Sequence, residues 1–392
     1  MTRTADHHAA APPATAPAAV RLTGLGTAQP ASTIDQPTAA ALADARCCGT
    51  EGESRWLRRI YRGSAVDRRA SVLLNGGTGD ADGQREAFYP PRTGPGDAGP
   101  GVARRMGAYA AHALPLAVEA AGRALAQAGE APGRVGQVIT VSCTGFAAPG
   151  LDVRLIEALG MRPGVGRTVV GFMGCHGAIN GLRVARALAA AQPGVPVLLC
   201  AVELCSLHFQ YGFDRQRIVA NALFADGAAA CVLQADAAGD DDAQSASSAA
   251  DWRVIDTASH LVPDSHDAMT WTIGDHGFCM TLSPRVPELI EAHLRPWLAE
   301  WLAGHGLAVA DVGQWAVHPG GPRVLDATAA GLGLPGEALT VSRAVLAECG
   351  NMSSPTVLFI LDRLRREGGA GPCVMLAFGP GLVAEAALLT PA

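Results

Sequence analysis

Thr168-Val-Val-Gly-Phe-Met-Gly-Cys-His-Gly177 passes from a β-branched run into small residues, and Ile179 to Ala190 continues it with the apolar spacing of a helix. Such a strand, tight turn and helix is the repeating unit of an α/β protein. The turn places Cys175 at the start of the helix. There, exposed backbone N–H groups and the positive end of the helix dipole favour a thiolate, and a neighbouring imidazole would lower the thiol pKa further. The segment therefore reads both as a fold unit and as a candidate nucleophile.

The same alternation extends outward. Val138 to Ser142, Val195 to Ala201 and Ala228 to Leu233 read as buried strands in the first half, with Ala316 to His318, Val374 to Ala377 and Leu382 to Leu388 in the second. Val357 to Arg366 has the apolar spacing of a helix. Gly76 to Gly101, rich in Gly, Pro and Asp, and Ala235 to Asp251, with its Gly-Asp-Asp-Asp run, read as loop or disorder. We therefore expect a disordered tail over 1–19, a first half over 20–234 carrying Cys175, a flexible join over 235–251 and a second half over 252–392.

With 392 residues and 49% hydrophobic content, the chain can bury one large core or two half-cores. A net charge of -6 gives no reason to expect a nucleic-acid partner. No apolar run is long enough to span a bilayer, and the Ala/Pro/His/Thr-rich start lacks the apolar core of a secretory signal. Ten cysteines without CxxC pairs suggest a reducing cytosol and no zinc site.

Two further segments supply partners for the thiol: His318-Pro-Gly-Gly-Pro322 and Gly350-Asn-Met-Ser-Ser-Pro355. Taken singly, each candidate has an ordinary reading. Cys175 would be a small hydrophobe, His318 a satisfied structural residue and Asn351 a turn or helix cap. Their conjunction is much less easily accidental. An imidazole and a carboxamide are two N–H donors able to bind the oxygen of a thioester, or of the enolate left when a malonyl thioester loses carbon dioxide. Proteolysis by Cys and a His base oriented by Asn suits the set less well.

These segments, with Asn221-Ala-Leu-Phe-Ala-Asp-Gly227 and Phe378-Gly-Pro-Gly381, resemble the type III polyketide synthases of the chalcone synthase-like family from about residue 20 to the end. The resemblance implies a thiolase-like α/β fold of two pseudo-duplicated αβαβα halves, with mixed sheets sandwiched between helices. It implies Cys175 as the acyl-carrying nucleophile, and His318 and Asn351 as the decarboxylation and oxyanion residues. Phe224 falls on the family's gatekeeper position, while Gly379, Pro380 and Gly381 match a loop shaping the cavity wall. For the coenzyme A phosphates, Arg59 alone falls squarely on a family basic position. Trp56 and Gly63 replace lysines of plant members, leaving neighbouring arginines such as Arg55, Arg58 and Arg62 to compensate. The substrates implied are an acyl-CoA starter and malonyl-CoA, with no metal or redox cofactor, in a homodimer.

Departures from the plant pattern bear on the product. Within Cys143-Thr-Gly-Phe-Ala-Ala-Pro149, which includes Thr144, Cys143 stands for a plant Thr and Ala148 for a Met that reaches the partner's cavity. Cys205 and His208 replace two cavity threonines, while Ser353 keeps a third wall position. Trp271 stands where plant enzymes have a cavity-lining Gly, and Met280 where a gate Phe is usual. The indole should reduce or redirect the cavity beside the thiol. This pattern resembles bacterial members that extend fatty acyl starters to alkylresorcinols or alkylpyrones, which is the product class expected here. Cys143 with an aromatic wall also resembles all-malonyl tetrahydroxynaphthalene synthases. A chain-initiating ketoacyl carrier-protein synthase shares the Cys, His and Asn chemistry, but the Gly-Asn-Met-Ser-Ser and Phe-Gly-Pro-Gly segments count against it. Intact Cys175, His318 and Asn351 likewise count against a relative that only binds acyl-CoA.

Overall fold

A computed structural model describes residues 19–74, 88–236 and 251–391. Nearly all of the expected N-terminal tail, most of the expected join and the first part of the Gly/Pro-rich loop lie outside the described residues. Ala235, the first residue of the expected join, still belongs to a strand. Arg21 pairs with both Asp236 and Asp251, so the two described ends of the join meet on one guanidinium.

The N-terminal half contains β1 (Val20–Ala28), the short pair β2 (Thr33–Asp35) and β3 (Arg68–Ala70), then β4 (Gln137–Ser142), β5 (Gly166–Gly171), β6 (Val197–Leu204) and β7 (Asp226–Ala235). The C-terminal half contains β8 (Trp252–Leu261), the hairpin β9 (Met269–Gly274) and β10 (Gly277–Leu282), then β11 (Gln314–Val317), β12 (Cys373–Gly379) and β13 (Val383–Pro391). Nine strands join in the order β11-β12-β13-β8-β1-β7-β6-β4-β5. From the β8–β1 seam outward, each half repeats one pattern: two antiparallel pairings, then a parallel one. The pattern is that of an internally duplicated fold.

Alternation along the strands sorts the layers. In β6, Val197, Leu199 and Ala201 pack in a central core with the helices Gly177–Ala191 and Thr356–Glu367. Leu198, Cys200 and Val202 face the opposite way, into a core shared with the helix Val102–Ala128. In the other half, Trp315, Val317, Val374 and Leu376 close a third core with the helices Val286–Ala303 and Pro322–Leu332. The expected sandwich of helices and mixed sheet is present, and its central helices begin at the two segments that carry Cys175 and Asn351.

Candidate active site

Cys175 lies in a tight turn, Gly174–His176, directly before the helix Gly177–Ala191. Gly174 has φ +73°, and a Cβ there would come within 2.4 Å of Pro380 Cδ, so only glycine lets the turn seat against that proline. The turn lies at the helix start, as the sequence reading expected, and burial acts there against the thiolate. Burial pushes the Cys175 thiol up to about 12, while hydrogen bonds from Ser353 and Asn351 pull it down and the Glu203 charge pushes it further up. Desolvation of a thiolate is the largest of these influences and favours the protonated sulfur.

The carboxamide partner is held by backbone. Asn351 forms a parallel bridge with Phe224: its N–H donates to Leu223 O at 2.9 Å, and its carbonyl accepts from Ala225 N at 2.9 Å. Its Oδ1 accepts from Ser353 N at 2.8 Å, which leaves the NH2 group as the donor for the sulfur. Ser353 has φ +57°, and its Oγ lies 3.6 Å from Cys143 Sγ. One hydroxyl therefore serves two thiols.

His318 follows β11, its N–H bonded to Leu376 O at 2.8 Å. It is 1% exposed, and neither ring nitrogen has a hydrogen-bond partner among the described residues. Burial, with a smaller contribution from the His176 charge, pulls its pKa down to about 3, so the ring is neutral. A buried imidazole with both nitrogens uncommitted is costly unless a ligand uses it.

Two small cavities of about 20 Å³ each meet at Cys205, Phe224, Trp271 and Met280. The one at Cys175 adds Cys143, Thr144, Ser353 and Pro380, and the other adds His208, Gln210, Arg217 and Asn221. Trp271 is fixed between them, because its indole N–H donates to Cys143 O at 2.7 Å. His208 stacks on Phe278 with ring centroids 4.2 Å apart. Its Nδ1 accepts from Phe278 N at 3.0 Å, so Nε2 carries the proton and donates to Thr144 O at 2.6 Å. Burial brings its pKa down to about 3.

Not every expected wall residue offers a free polar atom or lines the thiol cavity. The Thr144 hydroxyl donates to Glu203 at 2.7 Å and accepts from Leu204 N at 2.9 Å. Of the Gly-Pro-Gly segment, Pro380 lines the thiol cavity. Gly379 packs on the His176 ring, where a Cβ would lie 2.2 Å from Cδ2, and Gly381 makes backbone contacts with Met269 and Ser265. Arg59 lines a separate cavity of about 670 Å³ with Trp56, Gly63, Arg215, Gly321 and Arg323. Arg58 is paired with Glu51. All thirty basic residues of the chain are arginines.

Sequence reasoning passed over two buried polar groups behind the thiol. Glu203 accepts from Cys143 N, Thr144 Oγ1 and Ser354 Oγ, and burial raises its carboxyl pKa. An acid in the otherwise apolar run Val197–Leu204 was the available signal. His176 Nδ1 meets Asn180 Oδ1 at 2.6 Å, Asn180 Nδ2 donates to Glu385 at 2.9 Å, and Arg183 closes the chain on Glu385. Nothing in the spacing links residues 176 and 385.

Comparison with known proteins agrees with this geometry. Residues 10–237 match the N-terminal domain of chalcone and stilbene synthases, and residues 253–391 match the C-terminal domain. The chain belongs to the chalcone and stilbene synthase family and is a type III polyketide synthase, an acyltransferase. It is 30% identical over 381 residues to the alpha-pyrone synthesis polyketide synthase-like Pks18 of Mycobacterium tuberculosis, covering 96% of this chain and 92% of that one. It is 40% identical over 281 residues to a 1,3,6,8-tetrahydroxynaphthalene synthase of Streptomyces peucetius, covering 70% and 72% respectively. The crystal structure of PKS-I from the brown alga Ectocarpus siliculosus superposes with a TM-score of 0.85 at 31% identity, over 97% of this chain and all of that one. Among the described residues, no helix is long and apolar enough to cross a membrane, and no group of His, Cys, Asp or Glu is arranged to hold a metal ion.

Proposed function

We propose that Cys175 carries the growing chain as a thioester, and that His318 and Asn351 bind the thioester oxygen and the malonyl-derived enolate. The carrying observation is a buried Cys175 thiol that the Asn351 side chain acts on, together with a buried, neutral His318 whose two ring nitrogens have no partner among the described residues. On loading, the acyl carbon forms a bond to Sγ as the bond to the coenzyme A sulfur breaks, and the thiol proton leaves with coenzyme A. Malonyl-CoA then loses carbon dioxide, and its enolate carbon bonds to the acyl carbon as the bond to Sγ breaks; the freed sulfur takes up a proton, and the chain, two carbons longer and now on coenzyme A, is loaded back onto Sγ by the same exchange for the next round. No resident metal or redox cofactor enters this scheme. The two donors act where negative charge develops, in a site with little water to compete. The 670 Å³ cavity would take coenzyme A, with Arg59, Arg215 and Arg323 supplying the phosphate contacts that Trp56 and Gly63 cannot.

For the product, the cavities favour malonyl units and short starters. A poly-β-keto chain carries an oxygen on every second carbon, and the two small cavities, lined by thiols and Ser353 and closed by Trp271, leave little room for a long alkyl starter. The 40% identity to a tetrahydroxynaphthalene synthase supports the same reading. The alkylpyrone reading keeps its own support in flexible Met280, small Ala148 and the longer match to Pks18. Incubation with malonyl-CoA alone and with acyl-CoAs of increasing length decides between them, read by mass spectrometry of products and intact protein. Cyclised product from malonyl-CoA alone supports the first reading, whereas a strict requirement for a long starter replaces it with the second.

The working form is proposed to be a homodimer in a reducing cytosol. Edge strand β5 pairs on one side with β4, and Val169 is 63% exposed on it beside exposed Phe172 and Phe146. Such an apolar edge invites a second copy. Val169→Lys should shift the sedimentation mass toward the monomer, and an unchanged mass would place the interface elsewhere.

A further inference from the structure

The bridge between Phe224 and Asn351 is the narrowest joint of the site, and one side chain lies against both of its strands. Arg69, on β3, is 2% exposed. Its Nη1 donates to Asn221 O at 2.6 Å and to Phe224 O at 3.1 Å. These carbonyls close the helix Arg215–Leu223, where the last turn has no intrahelical donors left. On the other strand, Gly350 has φ +72°, and a Cβ there would stand 3.2 Å from Arg69 Cβ and 3.1 Å from Leu223 O. Arg69 therefore packs against the residue before Asn351 while holding the carbonyl of Phe224. Its guanidinium carbon lies over the Tyr61 ring, 5.6 Å from the centroid; burial lowers its pKa, and Tyr61 and the Asp226 charge oppose that.

We infer that Arg69 is a positioning residue that sets Asn351 and the Phe224 gate as one unit, fixing where the carboxamide donor stands relative to the Cys175 sulfur. This rests on the proposed role of Asn351 in decarboxylation. Arg69 touches no reacting atom. It acts by satisfying two carbonyls that would otherwise be buried without donors, and so by holding the joint to one geometry. Nη1 alone meets both carbonyls while the rest of the guanidinium lies over Tyr61, and a lysine ammonium would hold the carbonyls as a point charge without that ring contact. Cys175 stands on a different element, the turn after β5, and needs nothing from Arg69 to accept an acyl group.

The test separates the two half-reactions in Arg69→Met and Arg69→Lys, with Asn351→Ala as reference. Acyl loading is followed by intact-protein mass, and decarboxylation by acetyl-CoA release from malonyl-CoA. We expect Arg69→Met to load at a rate within about twofold of the parent while kcat for acetyl-CoA release falls about 10²-fold, the scale of a misplaced catalytic group. Its KM for malonyl-CoA should stay within about twofold, and Arg69→Lys should recover part of kcat. Equal losses in loading and release would reduce Arg69 to general support of the fold and overturn the inference. Parental release in both folded variants would overturn it too. Should Arg69→Met fail to fold, the same split in Arg69→Lys decides. If Asn351→Ala itself released acetyl-CoA normally, the role of Asn351 would fall and the inference with it.

Discussion

The two halves of the molecule share one strand grammar and differ in how the chain leaves it. In the N-terminal half, β4 is followed by eight residues, Cys143 to Gly150, before the next helix begins at Leu151. In the C-terminal half, β11 is followed by only four, His318 to Gly321, before the helix at Pro322. The N-terminal half then adds β5, an edge strand that delivers Cys175. Where the C-terminal half would need its counterpart, the chain makes only the bridge of Asn351 to Phe224. Repeated strands hold the two central helices still, while the unrepeated connections carry the chemistry. The thiol thus comes from a glycine turn on one half, and the two proposed oxygen-binding donors from short, backbone-held connections on the other.

The sharpest way to break this division is to remove the one group that the N-terminal half alone supplies. Cys175→Ala should abolish the acyl-enzyme and all extended product, observed as loss of the acyl mass adduct. Persistent product in that variant would mean that Cys143 or Cys205, which also line the thiol cavity, carries the chain. On the C-terminal side, His318→Ala and Asn351→Ala should each lower acetyl-CoA release by about 10²–10³-fold, the usual cost of removing a donor at a developing oxyanion. Unequal losses would sharpen the comparison by ranking the short His318 connection against the bridged Asn351.

A smaller effect is expected where the halves face each other. Trp271 comes from the C-terminal hairpin and hydrogen-bonds the N-terminal Cys143 loop, so it separates the cavity at the thiol from the one at His208. Trp271→Gly should merge the two and lengthen the polyketide or change its ring closure, as seen in the product mass spectrum. An unchanged product profile would show that chain length is set elsewhere.

How much of this the sequence disclosed follows the range of the forces involved. Strands buried on both faces were legible as short β-branched runs, and the helix Thr356–Glu367 as a 3.6-residue pattern one residue wider at each end than read. The 27-residue helix Val102–Ala128 was not singled out: its packing face is largely alanine, and Pro115 interrupts its pattern. At the site, the ordered motifs singled out Cys175, His318 and Asn351 as candidates, but not that Cys175 is buried deeply enough to raise its thiol pKa. They did not disclose Arg69, Glu203 or the His176–Asn180–Glu385 chain either. Each depends on a partner at least 59 residues away, and the hydrogen bonds of Arg69 go to backbone carbonyls, which leave no mark in composition or spacing.

The last test turns on two buried imidazoles, one from each half. His208 and His318 are both held neutral in the fold, with pKa values brought down to about 3 from 6.5. The unfolded chain binds their protons below 6.5 and the folded chain does not, so their contribution to stability is whole above 6.5 and drains away as pH falls toward 3. Well below 6.5, each histidine should cost about 1.4 kcal/mol per pH unit. Glu203 works in the opposite sense, since burial raises its carboxyl and protonation relieves a buried charge. The total slope therefore mixes signs, but a difference isolates one residue. His208→Phe loses its bonds to Thr144 and Phe278, a fixed offset, and with them the pH-dependent penalty. Urea unfolding from about pH 7.5 to about pH 5 should show the parent losing stability faster than the variant, so that the two curves converge as the solution acidifies. Parallel curves would mean that the imidazole in the N-terminal half takes up a proton in the folded state, and that its stacking on Phe278 does not keep it neutral.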